Sequence, residues 1–324
     1  MRELTELTGE SGALRLAAGG APRALLIAGD GEAAIAAPLV TALAGRHSGC
    51  PVIRLGAGPL ANWVGAADLV VVAGLSRDRD PELALLTDAA ARRGAALLGV
   101  GRAGSALHER CTWARAPFVA VPTERPEGSA LWSLLTPILA LTGEMRLTED
   151  SLDGTAAALD TMAEFCRPDS ESFVNPAKLL ALQLRSVLPV LVPDSPATAV
   201  VAERLRSGLA RLVGVPAAIA ELPEALAEAA AYLTGALAPS AAEQDLFRDR
   251  ADDAAPALRI LTVRDEPVSD SRAHEAMRDL VRRADHAGVP VIDLTVEEPD
   301  RIGRLAALIA LGDFTGAYLR LSRT

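Results

Sequence analysis

Ser76, Arg77 and Arg79 are the first residues whose types and spacing suit chemistry on an anion. They stand in Gly74-Leu75-Ser76-Arg77-Asp78-Arg79-Asp80-Pro81-Glu82, directly after the apolar run Leu69-Val70-Val71-Val72-Ala73. A hydroxyl, two guanidinium groups and the free N–H groups of a helix start together suit a phosphate. Gly74 and Ser76 open the turn, and Asp80 followed by Pro81 predicts a helix cap and its first residue. A connecting loop that binds nothing can have the same composition, so the turn alone does not decide.

A second stretch competes. Gly29-Asp30-Gly31-Glu32-Ala33-Ala34 has the Gly-x-Gly-x-x-Ala form of a dinucleotide fingerprint, between a predicted strand and a predicted helix. Asp30 and Glu32 place negative charge where a pyrophosphate would sit. Arg54 stands where an acidic ribose ligand is expected, though it suits a 2′-phosphate. A tight strand-to-helix turn explains the same glycines. Gly99-Val100-Gly101-Arg102-Ala103-Gly104-Ser105 follows another predicted strand and can wall the same crevice. His47, His108, His274 and His286 are far apart, with no two at metal-ligand spacing on one helix, so no metal or other cofactor is expected. Cys50, Cys111 and Cys166 are odd in number and widely spaced, which predicts reduced thiols in a cytoplasmic protein.

Composition narrows the classes. A net charge of −10 argues against nucleic acid and against an anionic membrane surface. Aromatics are only 3% of the chain, which leaves no stacking platform for single strands. The first residues, Met1-Arg2-Glu3-Leu4-Thr5-Glu6, lack the apolar core of a signal peptide. No uninterrupted apolar run approaches the ~20 residues of a membrane span.

The elements that must position these residues alternate. Strands are predicted at Arg23–Ala28, Pro51–Arg54, Leu69–Ala73, Ala95–Val100 and Phe118–Val121. Helices are predicted at Glu32–Ala44, Pro81–Arg93, Ser105–Arg110 and Ser129–Leu141, with Gly94 ending the second. The stretch 146–175 is polar and acidic, holds one predicted helix at Ser151–Phe165, and is expected to be a linker between domains at 1–145 and 176–324. Beyond it, strands are expected at Val187–Val192, Pro216–Glu221, Leu258–Val263 and Val289–Leu294. Helices are expected at Asn175–Leu184, Pro196–Leu212, Pro223–Leu233, Asp270–Ala287 and Ile302–Leu321. Gln244–Pro256 is charged and turn-rich and is expected to be a surface segment. The rhythm predicts an α/β protein with two doubly wound parallel sheets, each sandwiched between helices.

Several segments together resemble the sugar isomerase (SIS) domains of bifunctional phosphoglucose/phosphomannose isomerases. Ala28-Gly29-Asp30-Gly31 falls where that family has a Gly-Gly-Ser-Gly turn, and Ser76 falls in its Ser-x-Ser-Gly-x-Thr phosphate loop. Pro126–Leu139 is similar to the start of the helix closing the first SIS unit. Arg204-Leu205-Arg206, Leu222-Pro223-Glu224-Ala225 and the ending Leu308–Leu321, with Gly312-Asp313-Phe314, keep the spacing of its second half. The resemblance implies two flavodoxin-like SIS domains in a homodimer. It also implies aldose–ketose isomerisation of glucose 6-phosphate and mannose 6-phosphate to fructose 6-phosphate. That chemistry needs a phosphate anchor, a ring-opening acid/base group and a base to carry a proton between C1 and C2.

The chain departs from the resemblance where catalysis would be. Arg77 replaces the phosphate-loop glycine, and Glu127 or Gly128 replaces an arginine before the closing helix. The position of the catalytic glutamate carries Arg211, and that of the ring-opening histidine carries Leu226 or Ala227. Glu224 survives, but a solvated helix residue reads the same way. No residue is therefore assigned as catalytic. The expected substrate-binding set is Gly29, Gly31, Ser76, Arg77, Arg79, Gly101 and Arg211. Two functions follow. One is a divergent sugar-phosphate isomerase with lost or weak activity. The other is a non-catalytic protein that binds a sugar phosphate or a partner protein. Dinucleotide binding is a remote third.

Overall fold

A computed structural model describes residues 22–45, 48–56, 58–122, 130–148, 152–235, 257–265 and 271–322. The segment Gln244–Pro256 lies outside the described residues. The chain divides into two compact units, with the division between Ala156 and Ala157.

The first unit is a five-stranded parallel sheet in the order β2-β1-β3-β4-β5. Its strands are β1 (Leu25–Gly29), β2 (Val52–Arg54), β3 (Leu69–Gly74), β4 (Ala96–Gly101) and β5 (Phe118–Ala120). All six residues of β3 are buried, as a central strand covered on both faces requires. β1 pairs Leu25 with Leu69 and Gly29 with Ala73, and β4 pairs Gly101 with Gly74. The helices are α1 (Ala36–Ala44), α2 (Asp80–Arg92), α3 (Ala106–Trp113) and α4 (Leu131–Glu144). α2 buries Leu83, Leu86 and Ala90 in one core with Val70 and Val72. At the entry to β3, Arg23 donates through Nε and Nη2 to the buried Asp68 carboxylate at 2.9 and 2.6 Å. Those bonds hold the Asp68 carboxyl below its usual range, against the opposing effect of burial.

The second unit is a four-stranded parallel sheet in the order β7-β6-β8-β9. It is built from α5 (Leu152–Phe165, entering from the first unit), α6 (Pro176–Gln183), β6 (Val187–Pro193), α7 (Pro196–Val213), β7 (Ala218–Ile219), α8 (Leu226–Tyr232), β8 (Ala257–Val263), α9 (Ser271–His286), β9 (Val291–Leu294) and α10 (Arg301–Leu321). Asn175 caps α6 by accepting the Lys178 N–H at 3.0 Å. α10 is long and apolar enough to cross a membrane by length and composition, but 72% of that stretch is buried in the fold, so it is a core helix. It packs on α7, where Gly312 admits Leu205 and the buried Arg204 forks onto Asp313 with two bonds of 3.0 Å. The three cysteines are free and buried, and burial pushes the Cys111 thiol up to about 12.

Two parallel α/β sheets agree with the expectation, and the differences lie at element ends. The helix expected from Glu32 starts as a 3₁₀ turn, Gly31–Ile35, and becomes α-helical only at Ala36. Pro38 has no N–H and fits only the first turn of an α-helix, so the α-helix cannot begin at Glu32. β9 starts at Val291, after Pro290, and β7 keeps only Ala218 and Ile219. Asp80 is not the cap of α2 but its first residue, with Arg79 in the cap position.

The Arg204–Asp313 fork generates a stability prediction. Removing the carboxylate takes two hydrogen bonds and a counter-charge from a buried guanidinium, whereas an apolar side chain of similar length at 204 leaves no buried charge. Asp313→Ala is expected to lower the unfolding free energy by about 3 kcal/mol and Arg204→Met by less. Urea denaturation of the two variants checks the order.

Candidate functional site

In the first unit, β1 and β3 are neighbours whose connections leave in opposite directions, and ligands bind at the carboxyl edge of such a switch point. The turn after β3 lies at that edge. Arg102 donates to the Leu75 carbonyl at 2.8 Å, and the Asp80 N–H donates to the Ser76 carbonyl at 3.1 Å. Among the described residues, the N–H groups of Ser76, Arg77 and Asp78 and the Ser76 hydroxyl meet no acceptor or donor. α2 has no side-chain cap. Ser76 is half-buried, and Arg77 is exposed with no ion-pair partner among the described residues. Arg79 is engaged: its Nε lies 3.1 Å from Glu82 and 3.6 Å from Asp30. Arg77, not Arg79, is therefore the cation of this turn open to a ligand.

A cavity of about 790 Å³ runs beside the turn, between α2 and the segment that carries Leu55, Pro59 and Asn62. Gly29, Asp30, Arg79, Glu82 and Arg93 line it, while Gly31, Ser76, Arg77 and Gly101 do not. Arg93 braces it by donating to the Ala61 carbonyl. Two glycines of the expected set have packing duties. A Cβ on Gly29 would lie 2.1 Å from the Ala33 carbonyl oxygen, and one on Gly101 would lie 2.7 Å from the Gly74 carbonyl oxygen. Gly31 has open space but a φ of +56°, so it serves the turn. The dinucleotide fingerprint thus forms a 3₁₀ turn in which the Ala33 N–H donates to the Asp30 carbonyl and Glu32 is buried.

The neighbouring helix start is closed. Asp80 accepts the Ala106 and Leu107 N–H groups at 2.6 and 3.1 Å, and Ser105 accepts the His108 N–H, so the α3 terminus already has its anion. Among the described residues no group of three or more His, Cys, Asp or Glu is placed to hold a metal.

Arg211 belongs to the second unit. It is exposed in the last turn of α7 and engaged by a partner. α7 starts at the carboxyl end of β6 and runs back, which puts Arg211 at the opposite edge of its sheet from a switch-point ligand. Leu226 packs against the second core, and Ala227 is exposed. Glu221, after β7, keeps an exposed side chain. Its carboxyl is nonetheless raised above the usual range, first by partial desolvation and then by the charge of Glu224.

The carboxyl edge of the second sheet carries a charged cluster that sequence reading missed. It contains Asp194, Ser195 and Thr198 after β6, Asp265 after β8, and Arg301 and Arg304 at the start of α10. Asp194-Ser195-Pro196 after a strand was a visible cap signal; the pairing with residues 265, 301 and 304 was not, because it spans most of the unit.

Residues 173–323 match the family described as bacterial phospho-glucose isomerase C-terminal SIS domain. Solved structures of the same fold include tagatose-6-phosphate ketose/aldose isomerase from Escherichia coli, with TM-score 0.69 and 13% identity over 99% of this chain and 90% of that one. A glucose-6-phosphate isomerase like protein from Thermus thermophilus has TM-score 0.55 and 20% identity, over 100% and 92%. The C-terminal domain of glucosamine-fructose-6-phosphate aminotransferase from Francisella tularensis has TM-score 0.58 and 9% identity, over 98% and 93%. No curated protein sequence matches the chain. The likeness to these structures shows the SIS fold over the whole chain, and the family match places the sequence resemblance in its second half.

The glycine geometry yields a contrast. Gly29→Ala forces a methyl into the Ala33 carbonyl and is expected to cost about 1–3 kcal/mol. Gly31→Ala meets only the left-handed backbone penalty, about 1 kcal/mol. Thermal unfolding of the two variants should show the larger loss for Gly29→Ala.

Proposed function

We propose that this protein binds a phosphorylated sugar at the Ser76–Arg79 turn and does not interconvert glucose 6-phosphate or mannose 6-phosphate with fructose 6-phosphate. The observation that carries the binding half is the open turn. Three main-chain N–H groups, the Ser76 hydroxyl and the Arg77 guanidinium are unengaged among the described residues at a switch point, beside a cavity of about 790 Å³. Phosphate takes hydrogen bonds from such groups at a helix start.

The absence of turnover rests on the residues at the catalytic positions implied by the resemblance. The guanidinium of Arg211 offers only donors and cannot accept the C2 proton. Leu226 and Ala227 cannot transfer a proton. Losing one general acid or base typically costs ~10²–10⁴-fold, and two are missing.

A second reading, contact with another protein, is favoured by the exposure of Phe165, Phe173, Val174, Leu179 and Leu182 within one short stretch of the second unit. The occupant we propose is a second copy, giving a homodimer, which sedimentation at micromolar concentration checks.

Binding is measured by calorimetry with glucose 6-phosphate and fructose 6-phosphate, with glucose as the uncharged control. Arg77→Ala and Ser76→Ala are each expected to weaken binding by roughly tenfold, and added salt to weaken it further. Unchanged affinity in both variants would place the ligand elsewhere. Coupled assays in both directions, on protein from a host lacking its own isomerase, are expected to show at least ~10²-fold less turnover than an active isomerase. Turnover within tenfold of that control overturns the proposal, and its loss in Glu221→Gln would assign the base to Glu221.

A further inference from the structure

We propose that the phosphorylated sugar held at the Ser76 turn is a glycoside whose apolar aglycone lies in the cavity along α2; this rests on the reading of the turn as a phosphate site. The cavity of about 790 Å³ falls within the ~300–1,000 Å³ of pockets that enclose drug-sized ligands. On α2 it is lined by Glu82, Leu86, Ala89 and Arg93, the spacing of one helix face. From Arg79 to Arg93 this wall is about 20 Å long at the rise of an α-helix.

The chemistry changes along that length. The end nearest the turn is polar, with Arg79 standing between Glu82 and Asp30. The strand that carries the turn ends against the same wall: a Cβ on Gly74 would lie 2.7 Å from Leu83 Cδ1 and 3.4 Å from Asp30 Cβ. The middle is apolar, with Leu83, Leu86 and Ala89 on α2 and Leu55, Pro59 and Leu60 on the opposite segment. Leu85, on the rim, is 67% exposed. The far end is polar again, where Arg93 donates to the Ala61 carbonyl, and to Asn62 Oδ1 at 3.3 Å.

That order selects the ligand. Sugar hydroxyls next to a phosphate in the turn meet the polar groups of Asp30, Arg79 and Glu82. Against the leucines they would be buried without partners, which is unfavourable. The apolar stretch from Leu83 to Ala89, about 9 Å long, is instead stabilised by hydrocarbon laid over it. An octyl chain has that length. A substituent on the anomeric oxygen also keeps the sugar ring closed, and the chain carries Leu226 or Ala227 where the resemblance implies the ring-opening group.

Calorimetry on the full chain compares octyl β-glucoside 6-phosphate with methyl β-glucoside 6-phosphate, and octyl β-glucoside below its micellar range is the arm without phosphate. The octyl phosphoglycoside is expected to bind at least roughly tenfold more tightly than the methyl one. Ala89→Phe, which fills the groove, and Leu85→Gln, which makes its exposed rim polar, are each expected to reduce that preference to within about twofold. Leu85→Gln decides alone where Ala89→Phe does not fold. Arg77→Ala is expected to weaken both phosphoglycosides equally and to leave the preference in place, since the two sites act independently. Equal affinities for the two phosphoglycosides, both weakened by Arg77→Ala, overturn the proposal and leave the phosphate site at the turn standing. So does an octyl preference that survives the groove variants. Binding of neither phosphoglycoside, or affinities unmoved by Arg77→Ala, overturns the reading of the turn and this proposal with it. Octyl β-glucoside binding as tightly as its 6-phosphate has the same consequence.

Discussion

A parallel sheet ends in polar groups that its own ladder does not satisfy, and how they are satisfied decides what this molecule can bind. At four places along the described carboxyl edges the chain supplies its own oxygen. Asp80 takes the first N–H groups of α3, Ser195 takes the Thr198 N–H at the start of α7, Asp300 takes the Gly303 N–H at the start of α10, and Asp265 takes the arginines beside it. These bonds tie each helix start to a neighbouring loop or strand and stiffen the edge where a mobile ligand would otherwise sit. The turn from Ser76 to Asp78 is left unengaged. α2 has no side-chain cap, because Arg79 occupies the cap position and the Asp80 side chain is committed to α3.

Much of this was legible in the chain. Leu69–Ala73 reads as a doubly covered strand and is fully buried. Gly94 ends α2 at a φ of +72°, and Asn175-Pro176 begins α6 as its composition requires. Local signals of this kind lie within a few residues of what they control. The misreadings had non-local causes. Asp80 looks like a helix cap by sequence, but its partners lie 26 and 27 residues away. Arg79 reads as unpaired by sequence, and in the fold it stands between the local Glu82 and the distant Asp30. The Asp265 cluster draws on segments from Asp194 to Arg304, and no spacing rule connects them.

The residues that carry the family resemblance in the second half do structural work. Arg204 and Asp313 form the fork between α7 and α10, Gly312 makes room for Leu205, and Leu222 is buried in the core beside the partly buried Leu226. A sequence can keep these contacts and keep the fold while its proton-transfer positions change freely, because an exposed residue such as Arg211 costs nothing in packing. Resemblance and chemistry therefore separate along a physical line.

That separation bears on which unit retains a small-molecule role. An isomerase needs an anchor for the phosphate and a base for the proton, held in one fixed geometry. The open N–H groups belong to the first unit, whereas the carboxylate with a raised pKa, Glu221, belongs to the second. Within the second unit, Arg301 and Arg304 pair with Asp265. Within the first, Asp30 and Glu82 pair with Arg79 and Asp80 holds α3, while Asp78, exposed in the open turn itself, meets no partner among the described residues. The open N–H groups and an unpaired carboxylate therefore stand together in one turn of the first unit.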